Sequence, residues 1–253
     1  METAAGWARR GNRILNFLVM SLILLMFLYG GYSLWDTAMV YRGAFVSVDL
    51  LKFKPAADEP DNPTLGELAA INEDVLGWVT VDDTHIDYPV VQGETNMEYI
   101  NKDVYGEFSL SGAVFLDSAN SPDFSDPYSL LYGHHMDNGG MFGDIVKFVE
   151  EGYFQGHPEG TLYLPGRTYR MELFACVEAD AYDSMVFQPT AQEGDAGELL
   201  SWIRENAVQY REIGVSGEEK IIGLSTCAGA ETNGRVIVYG RLEEAGQAQE
   251  GGA

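Results

Sequence analysis

The chain has 253 residues, enough for one ordinary domain with an appendage, and it carries a formal net charge of −24 at pH 7. Residues 43–253 hold 11 Lys and Arg against 37 Asp and Glu, a formal charge of −26 for this part. Nucleic acid and anionic lipid surfaces are negatively charged, so this balance argues against both as partners. Most of the acidic residues are expected to form a solvated surface.

The first hydrophobic element comprises residues 14–35, which contain no charged side chain. A helix of about 22 residues, rising about 1.5 Å per residue, reaches about 33 Å and crosses the hydrocarbon layer of a membrane. Arginines lie before it in residues 1–13 and Asp36 follows it, so the positive-inside tendency predicts a cytoplasmic N-terminus and an extracellular remainder. A cleaved signal peptide is the alternative, but its apolar region is shorter, about 7 to 15 residues. The sequence therefore favours an uncleaved single-pass anchor in the cell membrane.

Two segments lack the periodicity of regular elements. Residues 36–63 mix single apolar residues with charges and prolines, which predicts an extracellular linker. Residues 243–253 consist of Gly, Gln, Ala and Glu without a large apolar side chain, which predicts a disordered tail. The folded domain is then expected to comprise residues 64–242.

Eight short apolar and β-branched runs, separated by Gly, Pro, Asn and Asp, lie in this domain. They are residues 77–81, 86–91, 113–116, 130–133, 161–164, 168–177, 220–226 and 236–242. Short strands at such spacing predict a mostly β fold, in which the eight strands close into a barrel.

A few helices accompany the predicted strands. Thr64-Leu65-Gly66-Glu67 has the spacing of a capping box, ahead of an apolar face formed by Leu68, Ile71 and Val75. Residues 144–149 form a second short helix. Residues 195–210 form a longer one, with leucine and isoleucine side chains on one face.

The most informative stretch of the chain surrounds Cys227. Cys227 lies at the end of an apolar run, a Gly-rich polar loop follows, and Arg235 is the first residue of the next run. This pattern predicts two strands joined by a turn, with a thiol and a guanidinium facing each other across its mouth. A fixed cation favours the reactive thiolate, and Arg can also donate hydrogen bonds to an oxyanion. The other cysteine, Cys176, lies within an apolar run and is interpreted as a core thiol, although a disulfide between the two is an alternative.

This stretch resembles the active-site signature of sortases, the cysteine transpeptidases that anchor proteins to the cell wall of Gram-positive bacteria. Leu224-Ser225-Thr226-Cys227 and Arg235 match the family pattern Thr-Leu-x-Thr-Cys followed by Arg, with Gly223 where the family usually has Thr.

Two further blocks are similar to class B sortases in particular. Tyr132-Gly133-His134-His135-Met136, followed by Met141-Phe142-Gly143, resembles their histidine segment, and residues 77–92 resemble the start of their catalytic domain. The blocks occur in the family's order over residues 71–242, which implies the sortase-type barrel.

The resemblance also implies roles for individual residues. Cys227 is the expected nucleophile and His134, directly after the Gly, the expected general acid and base, with His135 left to pack or hydrogen-bond within its loop. Arg235 and the backbone N–H of Ala228 are expected to stabilise the oxyanion. The residues expected to shape the substrate groove are Ser225, Thr226 and Tyr182. The sequence has no metal-binding motif, and no cofactor is expected.

The implied function is cysteine-peptidase chemistry that ends in transfer. The enzyme would cleave the C-terminal sorting motif of a surface protein through a thioester and transfer that protein to an amine of the peptidoglycan precursor, lipid II. A sortase that polymerises pilins is the alternative. No Asp-Pro-Trp or Asp-Pro-Phe lid segment precedes the domain, and Asp126-Pro127-Tyr128 lies inside it, which argues against the usual pilus class. An inert extracellular peptide-binding barrel is disfavoured because the Cys, His and Arg occur together.

Overall fold

The computed structural model describes residues 2–56, 61–192, 194–227 and 233–245. The chain divides into two compact units, Met1–Arg42 and Gly43–Ala253. The first unit contains the helix α1, Glu2–Arg42. Its segment Arg10–Tyr41 is long and apolar enough to cross a membrane, with a mean hydropathy of 2.2 over its most apolar 18 residues. The predicted span of residues 14–35 lies within this segment.

The second unit contains a closed barrel. In the described part of the chain its strands are β1 Val75–Val81, β2 Asp87–Val91, β3 Val114–Leu116, β4 Tyr128–Tyr132, β5 Glu159–Leu164, β6 Arg167–Asp180, β7 Ala207–Tyr210, β8 Lys220–Cys227 and β9 Gly234–Glu244. Neighbouring strands follow the order β5-β1-β2-β3-β4-β8-β9-β6, and β5 also pairs with β6. This last pairing closes eight strands into a barrel, as the sequence predicted. Strand β7 is additional and pairs with the second half of β6.

The predicted helix of residues 195–210 is two elements. Gly197–Asn206 is a helix, which we label α6, and Ala207–Tyr210 is strand β7. The last four residues pair with β6 because that strand has a free edge at Ala175 to Val177, a tertiary contact that overrides the helical pattern.

The remaining helices are short. They are α2 Val48–Leu51, α3 Pro63–Ala69, α4 Glu151–Gly156, α5 Ser184–Phe187 and α6 Gly197–Asn206, with 3-10 helices at Gly143–Val149 and Pro189–Ala191. The predicted helix of residues 144–149 is the first of these 3-10 helices.

The predicted capping box at Thr64 was wrong. Helix α3 begins at Pro63, whose fixed φ suits the first helical position, and the N-cap is Asn62. Asn62 makes no capping bond with its side chain; its Nδ2 instead donates to the carbonyls of Leu164 and Arg167 at the β5–β6 turn. The helix ends at Ala69, so Ile71 is exposed rather than part of a buried face.

Part of the segment predicted as a linker is folded. Ser47 caps the one-turn helix α2 by accepting a hydrogen bond from Leu50 N, and Leu50 and Phe53 are buried. Both pack in a cluster with Leu65 of α3 and Trp78 of β1. The chain therefore joins the barrel well before residue 64.

A second apolar cluster lies between α6 and the strands that carry the signature residues. Leu199, Leu200 and Ile203 of α6 are buried in it. The strand residues that meet them include Tyr128, Leu130, Phe174, Ile221, Ile237 and Tyr239. This cluster fixes the connection between β6 and β7 against β4, β8 and β9.

The core also explains the departure from the family signature at Gly223. A methyl group on Gly223 would lie 2.9 Å from Tyr128 Oη and 3.1 Å from Leu130 Cδ1. The Tyr128 hydroxyl therefore occupies the space that a larger residue at position 223 would need.

Candidate active site

The signature residues come together where β4, β8 and β9 meet. Strand β4 runs parallel to β8 with Tyr132 opposite Ser225, and Gly133 N donates to Ser225 O at 3.1 Å. Continuing this register by two residues places His134 level with Cys227. Strand β9 runs antiparallel to β8 with Arg235 directly opposite Cys227. The backbones of Cys227 and Arg235 are therefore paired, and His134, two residues beyond the end of β4, is expected in the same row.

The two cysteines lie apart on this sheet. Cys176 of β6 is opposite Val238 of β9, three residues along β9 from the partner of Cys227. Cys176 is a free, fully buried thiol, as predicted, and burial raises its pKa to about 12. Such a thiol stays protonated at neutral pH and does not act as a nucleophile.

The segment after β4 folds back as a short hairpin, residues 134–142, which we call the histidine hairpin. His135 pairs with Met141 in an antiparallel bridge, and Phe142 N donates to His134 O at 3.0 Å. The glycines of the motif permit this fold, because a methyl group on Gly133 would lie 2.6 Å from the buried Phe142 ring. The spacing of the motif is therefore a packing requirement as well as a signature.

The His134 imidazole has a defined hydrogen bond. Its Nε2 lies 2.8 Å from the carbonyl oxygen of Ile100, which can only accept, so Nε2 carries the proton. In the neutral ring this leaves Nδ1 as the basic nitrogen, available for proton exchange. His134 is half-buried and therefore accessible to a reacting group.

His135 has different surroundings. Its Nε2 lies 3.3 Å from Asp137 Oδ1, and its Nδ1 is buried without a hydrogen-bond partner in the described part of the chain. It lies at the bridge to Met141, where its backbone holds the hairpin.

Gly112 sets the position of the Ile100 carbonyl. Its φ is +63°, and a methyl group there would lie 2.5 Å from Ile100 O. We expect Gly112→Ala to displace this carbonyl from His134 and to lower turnover at least about tenfold, since a positioned acid and base contributes about 10² to 10⁴.

Gly106→Ala is the matched control for this change. Gly106 also has a positive φ, +81°, but a methyl group there meets nothing within 4 Å. It should lose about 1–2 kcal/mol of stability from backbone strain alone and keep its turnover per folded molecule. Steady-state rates and thermal melts on both variants measure this, and equal turnover in the two would refute the role of the Ile100 carbonyl.

The Arg235 guanidinium is half-buried and makes one hydrogen bond within the described residues, donating from Nη1 to Gly234 O at 3.1 Å. Its charge reaches across β8 to Tyr132 of β4. Burial raises the pKa of Tyr132 far above its usual value, Asp117 raises it further, and the Arg235 charge opposes the rise. Among the described residues, Arg235 therefore has N–H donors left for a further partner.

We expect Arg235→Lys to lower turnover by about 10² to 10³, the usual cost of losing one oxyanion donor. Lysine keeps the charge but lacks the planar pair of donors. A transpeptidation assay at saturating peptide measures the loss. Arg204→Lys is the control, because Arg204 lies on α6 and bonds Tyr210 Oη at 3.0 Å, away from the row. Near-normal turnover of Arg235→Lys would show that charge alone suffices.

The three residues predicted to shape the substrate groove differ in their exposure to solvent. Ser225 and Thr226 are 1% and 2% exposed, and both hydroxyls lack a hydrogen-bond partner in the part of the chain that the structure describes. Adjacent strand residues point to opposite faces, so at most one of the two can face a substrate. Tyr182, between β6 and α5, is 82% exposed and free to make contacts. Ala228, predicted as an oxyanion donor, lies outside the described residues.

Sequence reasoning missed the surroundings of Tyr132. Its hydroxyl donates to the buried Asp117 at 2.8 Å, and its ring stacks at 16° against Phe187 of α5 with the centroids 6.4 Å apart. These contacts bring the β6–β7 connection beside the row. The Ile100 carbonyl was missed as well, because a backbone acceptor has no residue signature.

A barrel with a cysteine, a histidine and an arginine in one row defines a class of cysteine enzyme, and comparison with known proteins gives the same class. A sequence model described as the sortase domain matches residues 79–243. The chain belongs to the sortase family of cysteine transpeptidases, within class B.

Individual relatives agree with this assignment. The chain is 32% identical to Sortase B of Listeria monocytogenes over 181 residues, 70% of this chain and 73% of that protein. A Streptococcus pyogenes class B sortase involved in pilus biogenesis is 46% identical, with a TM-score of 0.65 over 70% of this chain and 97% of that one. Sortase B from the type II pilus of Streptococcus pneumoniae is 37% identical, with a TM-score of 0.59 over 71% and 98% of the two chains. The predicted resemblance to class B sortases is confirmed.

Proposed function

We propose that this chain is a membrane-anchored transpeptidase that cleaves the C-terminal sorting motif of a surface protein and joins that protein to an amine. The observation that carries the proposal is the row of His134, Cys227 and Arg235 across β4, β8 and β9. The helix α1 would cross the cell membrane once. The arginines before the apolar segment support a cytoplasmic N-terminus and an extracellular barrel.

The first half-reaction forms a thioester. The Cys227 thiol first gives its proton to Nδ1 of His134. The resulting thiolate attacks the carbonyl carbon of the scissile amide, and Arg235, together with the N–H of Ala228, stabilises the oxyanion that forms. The carbon–nitrogen bond then breaks, and the departing amine takes a proton from His134. Nδ1 is the atom of His134 that gives this proton, since Nε2 is held by the Ile100 carbonyl.

The second half-reaction makes a new amide. An acceptor amine attacks the thioester and loses a proton to His134, and the carbon–sulfur bond breaks to restore the Cys227 thiolate. No water is consumed, so the bond that is broken in the surface protein is replaced by another amide. This balance distinguishes a transpeptidase from a hydrolase.

Two acceptors are candidates. The amine of lipid II is the acceptor that the sequence predicted. A pilin amine is favoured by a specific observation: the identities to the two streptococcal sortases of pilus systems are 46% and 37%, against 32% for Sortase B of Listeria monocytogenes.

The sequence before the domain lacks an Asp-Pro-Trp or Asp-Pro-Phe segment, but this does not decide between the two acceptors. Asp126 accepts hydrogen bonds from Ser121 and Asn120, and Tyr128 is fully buried in β4. Asp126-Pro127-Tyr128 is therefore part of the barrel and not a lid. The Streptococcus pyogenes relative, itself of class B, is nevertheless involved in pilus biogenesis.

A competition experiment tests the proposal. The full-length protein in detergent is incubated with a sorting-motif peptide and equal amounts of two acceptors, a peptidoglycan stem peptide and a peptide with a pilin-type lysine. A ligated product supports transpeptidation. The mass of this product shows which of the two acceptors was joined, and so distinguishes wall anchoring from pilin polymerisation. Hydrolysed peptide alone, at a rate unaffected by either amine, would overturn the proposal.

A further inference from the structure

The chain that directly follows α1 contacts the histidine hairpin. Ala44, two residues after the end of α1, is fully buried. Its carbonyl oxygen accepts from Tyr88 Oη at 2.8 Å and from Met141 N at 3.1 Å. Met141 N also donates to Tyr88 Oη at 2.7 Å. The three groups form a closed set of hydrogen bonds between residue 44, strand β2 and the end of the hairpin.

The end of the hairpin is shaped to fit residue 44. A methyl group on Gly140 would lie 2.7 Å from Ala44 O, so the two backbones are in direct contact. Met141 has a φ of +51°, a strained conformation for a residue with a side chain, which persists only where neighbouring contacts impose it. The bonds to Ala44 and Tyr88 are such contacts.

Met141 is linked through its neighbours to His134, the candidate acid and base. Met141 pairs with His135, and the next residue, Phe142, donates its N–H to His134 O. Phe142 is fully buried under Gly133, so the base of the hairpin moves as one packed unit. A shift at Met141 is therefore transmitted to the backbone of His134.

We propose that Tyr88 and the segment of residues 43–47 position the histidine hairpin and keep His134 level with Cys227. Tyr88 is a positioning residue, because it touches the hairpin rather than the reacting atoms. The inference rests on the proposed role of His134. It follows that the residues joining the anchor to the barrel contribute to turnover and are not a passive spacer.

Three full-length variants in detergent test the inference. Tyr88→Phe removes the bridging hydroxyl and keeps the buried ring. Ala44→Glu places a charge at a buried position and expels the segment. Val48→Glu is the matched control, since it adds the same charge four residues later at a side chain that is 85% exposed.

The readouts separate positioning from stability. We expect kcat to fall about tenfold in Tyr88→Phe and more in Ala44→Glu, because small misplacements of a catalytic group are costly. KM should stay within about twofold, since the substrate-binding surface is unchanged. The pH profile of kcat should shift in both variants, and Val48→Glu should match the unchanged protein in every respect.

Two results would overturn the inference: normal kcat and pH profile in folded Tyr88→Phe, or a lowered melting temperature with an unchanged kcat per folded molecule. If Ala44→Glu does not fold, Tyr88→Phe decides alone. His134→Ala is run beside them. If it is inactive while Tyr88→Phe is normal, only this inference fails; if it is active, the proposed function of His134 fails.

Discussion

Cys227→Ala is expected to abolish both the acyl-enzyme and the ligated product. The change removes the proposed nucleophile, and the other thiol, Cys176, cannot replace it because it is buried and protonated. The domain should stay folded, since only a small side chain is lost. Intact-mass analysis after incubation with a sorting-motif peptide measures the adduct, and circular dichroism checks the fold.

Cys176→Ala is the control for this prediction. Cys176 is fully buried in β6 and burial raises its pKa to about 12, so its removal should cost about 1 kcal/mol of stability and leave turnover intact. An adduct that persists in Cys227→Ala, or one that maps to Cys176, would show that Cys227 is not the nucleophile.

His134→Ala is expected to remove both cleavage and transfer, with a loss of about 10² to 10⁴ in turnover. The reason is geometric: His134 continues β4 level with Cys227, and its Nδ1 is free while the Ile100 carbonyl holds Nε2. No other histidine is placed this way in the described part of the chain. Steady-state transpeptidation at several pH values measures the effect.

His135→Ala should behave differently. Alanine keeps the backbone bridge to Met141 and removes the ring, whose Nε2 lies 3.3 Å from Asp137 Oδ1, so stability should fall while measurable turnover remains. Thermal melts and rates on the two single variants decide between the neighbours. An inactive but normally folded His135→Ala beside an active His134→Ala would reverse the assignment.

The strands of the barrel were predictable because their signals are local. Runs such as residues 220–226 and 236–242 alternate or concentrate apolar and β-branched residues between turn-forming residues, and burial on the barrel follows that pattern. Strand β7 was not predictable, because Ala207–Tyr210 continues the helical pattern of α6 and becomes a strand only through the free edge of β6. The helix start at Pro63 was missed because the Thr64 spacing imitates a capping box.

In the candidate site, too, the residues with a local sequence signal were predictable and their tertiary partners were not. Cys227, His134 and Arg235 carry side-chain signatures, and the register of β4, β8 and β9 brings their backbones together. The groups that support them are backbone atoms, namely the carbonyls of Ile100 and Ala44, which any residue could supply. Only the folded chain shows which carbonyl lies beside which side chain.

In the proposed reaction, Cys227 carries an acyl group which an amine then removes. The most direct test is intact-mass spectrometry of the full-length protein, first with a sorting-motif peptide alone and then after addition of an acceptor amine. We expect a mass increase equal to the N-terminal peptide fragment, mapped to Cys227, which disappears as a peptide with a new amide bond forms. An adduct on another residue, or an adduct released only as free acid in the presence of the amine, would contradict it.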